Sequence, residues 1–270
     1  MNTRTHKGTA LITGASSGIG SVYADRLARL GYDLIIVARR ADRLRSLAED
    51  ITTRTGRSVR TITADLTVPA DLAKVGNVLR TDGSITLLVN NAGVGATAPL
   101  LQSNAEEMER LIALNVGVLT HLTYAAAPAF VARGQGTIIN IASIVAITPE
   151  VLNGVYGGSK AYVLAFSQSL HHELADKGVR VQAVLPGATA TDFWDTAGMS
   201  VDHLPSEMVM SAEDMVDAAL SGLAQGESVT IPALPDVADW NAFEAARKAL
   251  APNLSRATPA DRYTAAVLDE

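Results

Sequence analysis

The sequence predicts an α/β fold: a doubly wound parallel sheet of about seven strands with helices on both faces. Three observations carry this. Apolar strand-like runs alternate with helix-periodic runs along nearly the whole chain, the pattern of repeated βαβ units. Apolar residues make up 48% of the chain but aromatics only 4%, so Ala, Val, Leu and Ile must fill the interior, as where buried strands are covered by Ala-rich helices. At 270 residues, with no repeat, low-complexity stretch or linker, a single domain over 1–270 is expected. Within it, 188–210 reads as a long loop and 233–270 as a C-terminal tail.

The elements run in order along the chain. Residues 9–13 read as a short strand, ending in Gly14-Ala15-Ser16-Ser17-Gly18-Ile19-Gly20 and followed by a helix to about 30. Strand 33–38 leads through Arg39-Arg40 to a helix over 41–53. Strand 58–64, helix 70–80 and strand 85–90 come next. A long helical region, 105–133, is expected to break or bend at Pro128. Strand 137–142 precedes a helix from about 156 to 175, then strand 179–185. The loop-rich stretch 186–210 separates it from helix 212–224 and a last strand, 228–232. An amphipathic helix over 237–250 carries Trp240, Phe243, Ala246 and Leu250 at helical spacing.

Composition also excludes. A net charge of −6 argues against nucleic acid as a main partner. The absence of cysteine removes disulfides and thiolate metal sites, and the five His show no metal-ligand spacing. The first eight residues are short and polar, and no run approaches the ~20 apolar residues of a membrane span. The expectation is a cytoplasmic protein without membrane partners.

In doubly wound sheets ligands bind beyond the carboxyl ends of the strands, and the notable groups fall there. The first loop spaces its glycines G-x-x-x-G-x-G. Glycine admits positive φ and close backbone approach, and a helix start offers free N–H groups to a pyrophosphate; a tight turn alone also asks for glycine. Arg39 and Arg40 stand where an NAD site commonly has an acid, and guanidinium suits a 2′-phosphate, so NADP(H) is favoured over NAD(H) unless the pair is merely solvated. Asp65, followed by Leu66, is placed to meet an adenine amino group or to cap a turn. Asn90-Asn91-Ala92-Gly93 suits irregular backbone close to a ligand. Asn115 is an amide in an apolar helical run, the usual setting of a side chain that satisfies backbone groups. Pro186-Gly187-Ala188-Thr189-Ala190-Thr191 offers hydroxyls at Thr189 and Thr191 for a carboxamide or phosphate, or for a helix cap.

Tyr156 and Lys160 are i and i+4 on one helix and should share a face. A free phenol has a pKa of about 10. Lowering it by about three units takes roughly 4 kcal/mol, close to what one charge ~4 Å away supplies at an effective dielectric of ~20. Such a tyrosine exchanges protons near neutral pH. Ser143 lies thirteen positions upstream. Chance placement on a surface helix is the plain alternative for the Tyr–Lys pair by itself.

Taken together, Thr13-Gly14-Ala15-Ser16-Ser17-Gly18-Ile19-Gly20, Asp65, Asn90-Asn91-Ala92-Gly93, Asn115, Ser143, Tyr156-x-x-x-Lys160 and Pro186-Gly187 resemble the short-chain dehydrogenase/reductase family in order and spacing, over about residues 8–232. The resemblance implies a Rossmann-type sheet, a nicotinamide cofactor and carbonyl/alcohol chemistry. It makes Asn115, Ser143, Tyr156 and Lys160 the catalytic tetrad: Tyr156 as proton donor and acceptor, Ser143 bonded to the carbonyl oxygen, Lys160 on the phenol and the nicotinamide ribose, Asn115 supporting a water beside Lys160. It also implies a homodimer or homotetramer paired through the helices of Asn115 and Tyr156. A substrate pocket is implied from Ile144, Val145 and Ala146, from 151–155 and from the loop at 191–210.

Two departures stand out. Gly158 replaces the family's frequent Ala or Ser, and either admits a close neighbour or is drift. Ser17 stands where some NADP-binding members carry a basic residue. Phe193, Trp194, Met199, Leu204, Met208 and Met210 suggest an apolar pocket, unless they only pack the loop, and the loop's acids disfavour an anionic substrate. An uncharged ketone, aldehyde or secondary alcohol is therefore expected. The alternative is an NADP(H)-binding regulator with little turnover, against which the intact tetrad speaks.

Overall fold

A computed structural model of the chain describes residues 6–263. Seven parallel strands form one sheet: β1 (Thr9–Thr13), β2 (Asp33–Ala38), β3 (Val59–Thr63), β4 (Ile85–Asn90), β5 (Gly136–Ile141), β6 (Val179–Val184) and β9 (Val229–Thr230). Their order is β3-β2-β1-β4-β5-β6-β9. The chain winds outward from β1 in one direction, then returns to lay β4 on β1's other edge. The crevice at that switch point is where such sheets bind ligands. Among the described residues nine helices accompany the strands: α1 (Gly18–Arg29), α2 (Ala41–Thr55), α3 (Pro69–Thr81), α4 (Ala105–Ile112), α5 (Leu119–Ala132), α6 (Gly154–Leu174), α7 (Phe193–Ala197), α8 (Ala212–Gln225) and α9 (Val237–Ala249).

The strands are buried on both faces, so alternate residues feed two cores. Ala10 and Ile12 of β1, with Leu34 and Ile36 of β2, pack with Leu27, Leu44, Ile51 and Met215 from α1, α2 and α8. Leu11, Ile35 and Val37 turn the other way, onto Val75, Leu79, Leu122 and Leu170 from α3, α5 and α6.

Three elements differ from expectation. The long helix does not break at Pro128, which lies exposed inside α5. A proline deprives the carbonyl four residues back of its donor; that carbonyl belongs to Tyr124, itself 69% exposed, where water can replace the bond. The irregularity falls instead at Ala113–Val118, one wide π turn between α4 and α5 that contains Asn115. Second, the stretch read as loop holds a small parallel ladder, β7 (Thr189–Ala190) with β8 (Met210–Ser211), which anchors both ends of the excursion carrying α7. Third, Ala105–Ala132 is long and apolar enough by length and composition to cross a membrane, contrary to the expectation of no such run; 44% of its most apolar stretch is buried inside the protein.

The described residues cluster into two compact units, one up to Pro232 and one from Ala233 on. The second unit contains α9. No side chain of α9 is buried; Trp240 and Phe243 stack on each other at 5.3 Å.

Candidate active site

The loop after β1 turns on two glycines in the left-handed region, Gly14 (φ 65°) and Gly18 (φ 53°). Gly20 is required for another reason: a Cβ there would lie 2.4 Å from the Gly14 carbonyl oxygen, so only glycine lets α1 start this close to the loop. Ser17 opens α1 without a side-chain bond to the helix, and no acid stands in the first turn. The unpaired N–H groups and the positive end of the helix dipole therefore face outward uncompensated. Arg40 leans over the loop, its Nη2 donating to Ser17 Oγ at 2.9 Å and Ser16 Oγ at 3.3 Å. Free N–H groups, two hydroxyls and a guanidinium are a donor set that fits phosphate. Ile19 is half-buried and packs on the core below.

Asp65 caps its own turn: Oδ1 accepts from the Thr67 amide at 3.0 Å and hydroxyl at 2.6 Å. Those bonds, with Arg39 nearby, hold its carboxyl below the usual range. Leu66 is buried in the core. Asn91 holds the glycine loop, donating through Nδ2 to the carbonyls of Thr13 (2.9 Å) and Gly14 (3.2 Å). The amides of Asn91 and Ala92 both donate to Thr13 Oγ1 at 3.0 Å. Asn91 and Ala92 thus bind the end of β4 to the end of β1, across the switch point.

Asn153 caps α6 through Oδ1, accepting from the amides of Val155 and Tyr156. This sets where the tyrosine enters the site. Tyr156 and Lys160 share a buried face, as their spacing predicts, but not in the expected contact. Lys160 Nζ lies 5.8 Å from the centre of the phenol ring and donates to the Ile141 carbonyl at 2.9 Å. Burial pushes the Tyr156 phenol up to about 12, opposed by a hydrogen bond with Ser143. Lys160 is pushed down to about 8, also by burial. The expected lowering of the phenol by Lys160 is thus corrected: desolvation outweighs a charge that is held by a carbonyl rather than by the hydroxyl.

Asn115 satisfies backbone. Its Oδ1 accepts from the Val94 amide at 3.0 Å, and its Nδ2 donates to the Val94 carbonyl at 2.9 Å and Ser159 Oγ at 3.2 Å. A Cβ on Gly93 would lie 3.1 Å from Asn115 Oδ1 and 3.7 Å from Lys160 Nζ; glycine keeps the space between them open. Ser143 Oγ donates to the Pro186 carbonyl at 3.4 Å, and the Ile144 amide to the same carbonyl at 3.0 Å. From there Gly187 and buried Thr189 carry the chain to Thr191, whose methyl lies 3.0 Å from where a Gly18 Cβ would be. The segment after β6 therefore spans from Ser143 to the glycine loop.

Val94 and Gly95 were not among the residues the sequence singled out, whereas Phe193 was. The Phe193 ring lies on Gly95, where a Cβ would come within 2.2 Å of it, and 5.9 Å from the Tyr156 ring. With Val94, Val145, Leu152 and Val155 it forms an apolar wall around Tyr156. Trp194 and Met210, by contrast, pack inward: Trp194 is buried with Nε1 on the Thr189 carbonyl, and Met210 lies against the core. Gly158 meets nothing within 4 Å in this chain, while Gly157 rests on Pro149. No group of His, Asp and Glu suited to a metal exists among the described residues.

The short chain dehydrogenase family model matches residues 8–200. The chain belongs to the short-chain dehydrogenase/reductase family, and so to the oxidoreductases with a Rossmann-type sheet. Among solved structures this family member resembles a short-chain dehydrogenase from Sphingobium yanoikuyae in complex with NADPH, with 49% identity and a TM-score of 0.92 over 95% of this chain and all of that one. It also resembles a bulky-bulky ketone specific alcohol dehydrogenase from Comamonas testosteroni, with 44% identity and a TM-score of 0.88 over 96% of this chain and all of the other. An uncharacterized oxidoreductase of Staphylococcus epidermidis is 32% identical over 225 residues, 82% of this chain and 93% of the relative.

Proposed function

We propose that this short-chain dehydrogenase/reductase interconverts uncharged, largely apolar ketones or aldehydes and their alcohols with NADP(H), Tyr156 moving the proton. One observation carries the reading: Tyr156 and Lys160 share one buried helix face, with Lys160 Nζ 5.8 Å from the phenol ring and the Ser143 hydroxyl near enough to oppose the rise of the phenol, inside an apolar wall. The nicotinamide, when bound, supplies or accepts the hydride. Phosphate would be held by the loop from Gly14 to Gly20, with Arg40 above it and Arg39, near Asp65, as a second guanidinium suited to a 2′-phosphate. The NADPH complex of the Sphingobium relative supports that choice.

The phenol, pushed up to about 12, stays protonated across the neutral range and is competent as a proton donor to a carbonyl oxygen. Ser143 Oγ, beside the phenol, is suited to hold the same oxygen as charge builds on it. Lys160, partly neutral near pH 8, is suited to resupply the proton. Asn115 holds Val94 and keeps the Gly93 gap open. The apolar wall, and the ketone class of the Comamonas relative, support a bulky uncharged substrate. In the same reading the protein is cytoplasmic and homo-oligomeric. The exposed Tyr124 and Tyr162, stacked on partly buried Phe166 along α5 and α6, suit a helix-pairing interface.

The test is NADPH oxidation over a panel of small and bulky ketones, aldehydes and quinones, with the reverse reaction on alcohols. Turnover strongest on uncharged bulky ketones is expected. Turnover of acyl thioesters alone would overturn the substrate class, and cofactor binding with no turnover across the panel would overturn the reaction.

A further inference from the structure

We infer that Thr123, Asn90, Asn140 and Ser167 are positioning residues for the reaction proposed above, on which this inference rests. Asn90 Nδ2 donates to Thr123 Oγ1 at 3.0 Å and to Asn140 Oδ1 at 2.9 Å. Asn140 Nδ2 donates to Ser167 Oγ at 2.9 Å, and Ser167 Oγ donates to the Val163 carbonyl at 2.7 Å. All four are at least 96% buried.

The chain of bonds takes one residue from each of four elements: α5, β4, β5 and α6. Those elements carry or adjoin the candidate catalytic groups: Tyr156 and Lys160 lie in α6, Ser143 follows β5, and Asn115 lies in the π turn that leads into α5. Thr123 lies about two turns along from Asn115. Asn90 immediately precedes Asn91-Ala92-Gly93. Asn140 directly precedes Ile141, whose carbonyl holds Lys160, and stands three residues before Ser143. Ser167 is about two turns beyond Lys160 on the same buried face. Asn90 and Asn140 are also register partners in the parallel ladder. The network therefore sits as a second layer beneath the first, joining the four supports at one depth.

Packing alone does not call for it. Val89, Ile139 and Ile141 flank the two amides along their strands and Ala183 is the β6 register partner of Asn140, and an apolar core of the same shape leaves no polar group to satisfy. Here one acceptor, Asn90 Oδ1, is buried with no partner, a cost that an apolar core avoids. What amides and hydroxyls add is direction: they select one relative placement of sheet and helices, and catalytic geometry is sensitive to shifts of about 1 Å. Through Asn140 the network fixes the carbonyl on which Lys160 is held.

The test uses Ser167→Ala, which removes the acceptor of Asn140 and is small enough to keep the fold, with Thr123→Val as a second, isosteric variant. The expected result is a fall in kcat of about tenfold or more with the Kd for NADPH unchanged by fluorescence titration. In 15N-lysine-labelled protein, the Lys160 signal (assigned with Lys160→Met) should titrate below the wild-type midpoint of about 8, because a buried ammonium that loses its carbonyl partner is less favoured, and Ser167→Thr should restore both. Wild-type kcat and an unmoved lysine midpoint in both variants, with only a lower Tm, would overturn the inference. If the wild type reduces no carbonyl, the reaction reading fails separately. The lysine titration still decides: a moved midpoint supports positioning and an unmoved one overturns it.

Discussion

The ammonium of Lys160 rests on the main-chain carbonyl of Ile141 at 2.9 Å, at the end of β5, and not on the Tyr156 hydroxyl. A cation buried among apolar side chains with one carbonyl partner loses part of its hydration, which is why its pKa falls to about 8 from 10.5. Between those values the unfolded chain still carries the proton and the folded chain has released it, so folding strengthens as pH rises. The span is on the order of 3 kcal/mol. Thermal melts at pH 7, 8, 9 and 10 should show the difference between wild type and Lys160→Met growing in favour of the wild type above pH 8. A flat difference would mean that the ammonium is hydrated.

Tyr156→Phe removes one hydroxyl beside Ser143 and keeps the ring against Phe193. The fold and NADPH affinity should be nearly unchanged while kcat falls by about 10² to 10⁴. Retention of most activity would take the tyrosine out of the mechanism.

Arg40 is exposed and its side chain donates to the Ser16 and Ser17 hydroxyls, so Arg40→Ala should change stability by less than about 0.5 kcal/mol. Loss of a charge-assisted contact to a 2′-phosphate should lower the ratio of kcat/KM for NADPH over NADH by about tenfold or more; Arg39→Ala tests the neighbouring guanidinium in the same way. An unchanged ratio in both variants would refute the NADP preference.

Gly158 stands within α6 with open space where a Cβ would go. Alanine there should add about 0.5–1 kcal/mol by restricting the unfolded chain, seen as a higher Tm. If Gly158→Ala instead lowers the Tm and dissociates an oligomer in light scattering, a partner's surface packs on this spot.

Phe193 covers Tyr156 from the excursion between β7 and β8. Phe193→Ala should widen the entrance and raise kcat/KM for bulky ketones relative to small ones several-fold. The same ratio as wild type would remove the ring from substrate choice.

The alternation of strands and helices was legible because burial on both faces of a parallel sheet forces continuous apolar runs, as in Leu34-Ile35-Ile36-Val37. The glycine loop was legible because Gly14, Gly18 and Gly20 are each demanded by backbone geometry. Pro128 misled because a proline's cost depends on whether the freed carbonyl can reach water, and Tyr124 lies on the exposed side. Asn140 was a visible signal, a polar residue within the apolar strand Ile138-Ile139-Asn140-Ile141. Its partners, however, are 27 and 50 residues away, and no local pattern names them.

By itself the sequence determined which groups are available at the sheet's mouth: a phenol and an amine one helical turn apart, a serine, glycines before a helix and a basic pair after β2. Tertiary structure decided their electrostatics. Spacing along a helix sets direction but not dielectric. Burial, rather than mutual attraction, sets the protonation of Tyr156 and Lys160, and it arises only when β5, α6 and the Phe193 segment close around them.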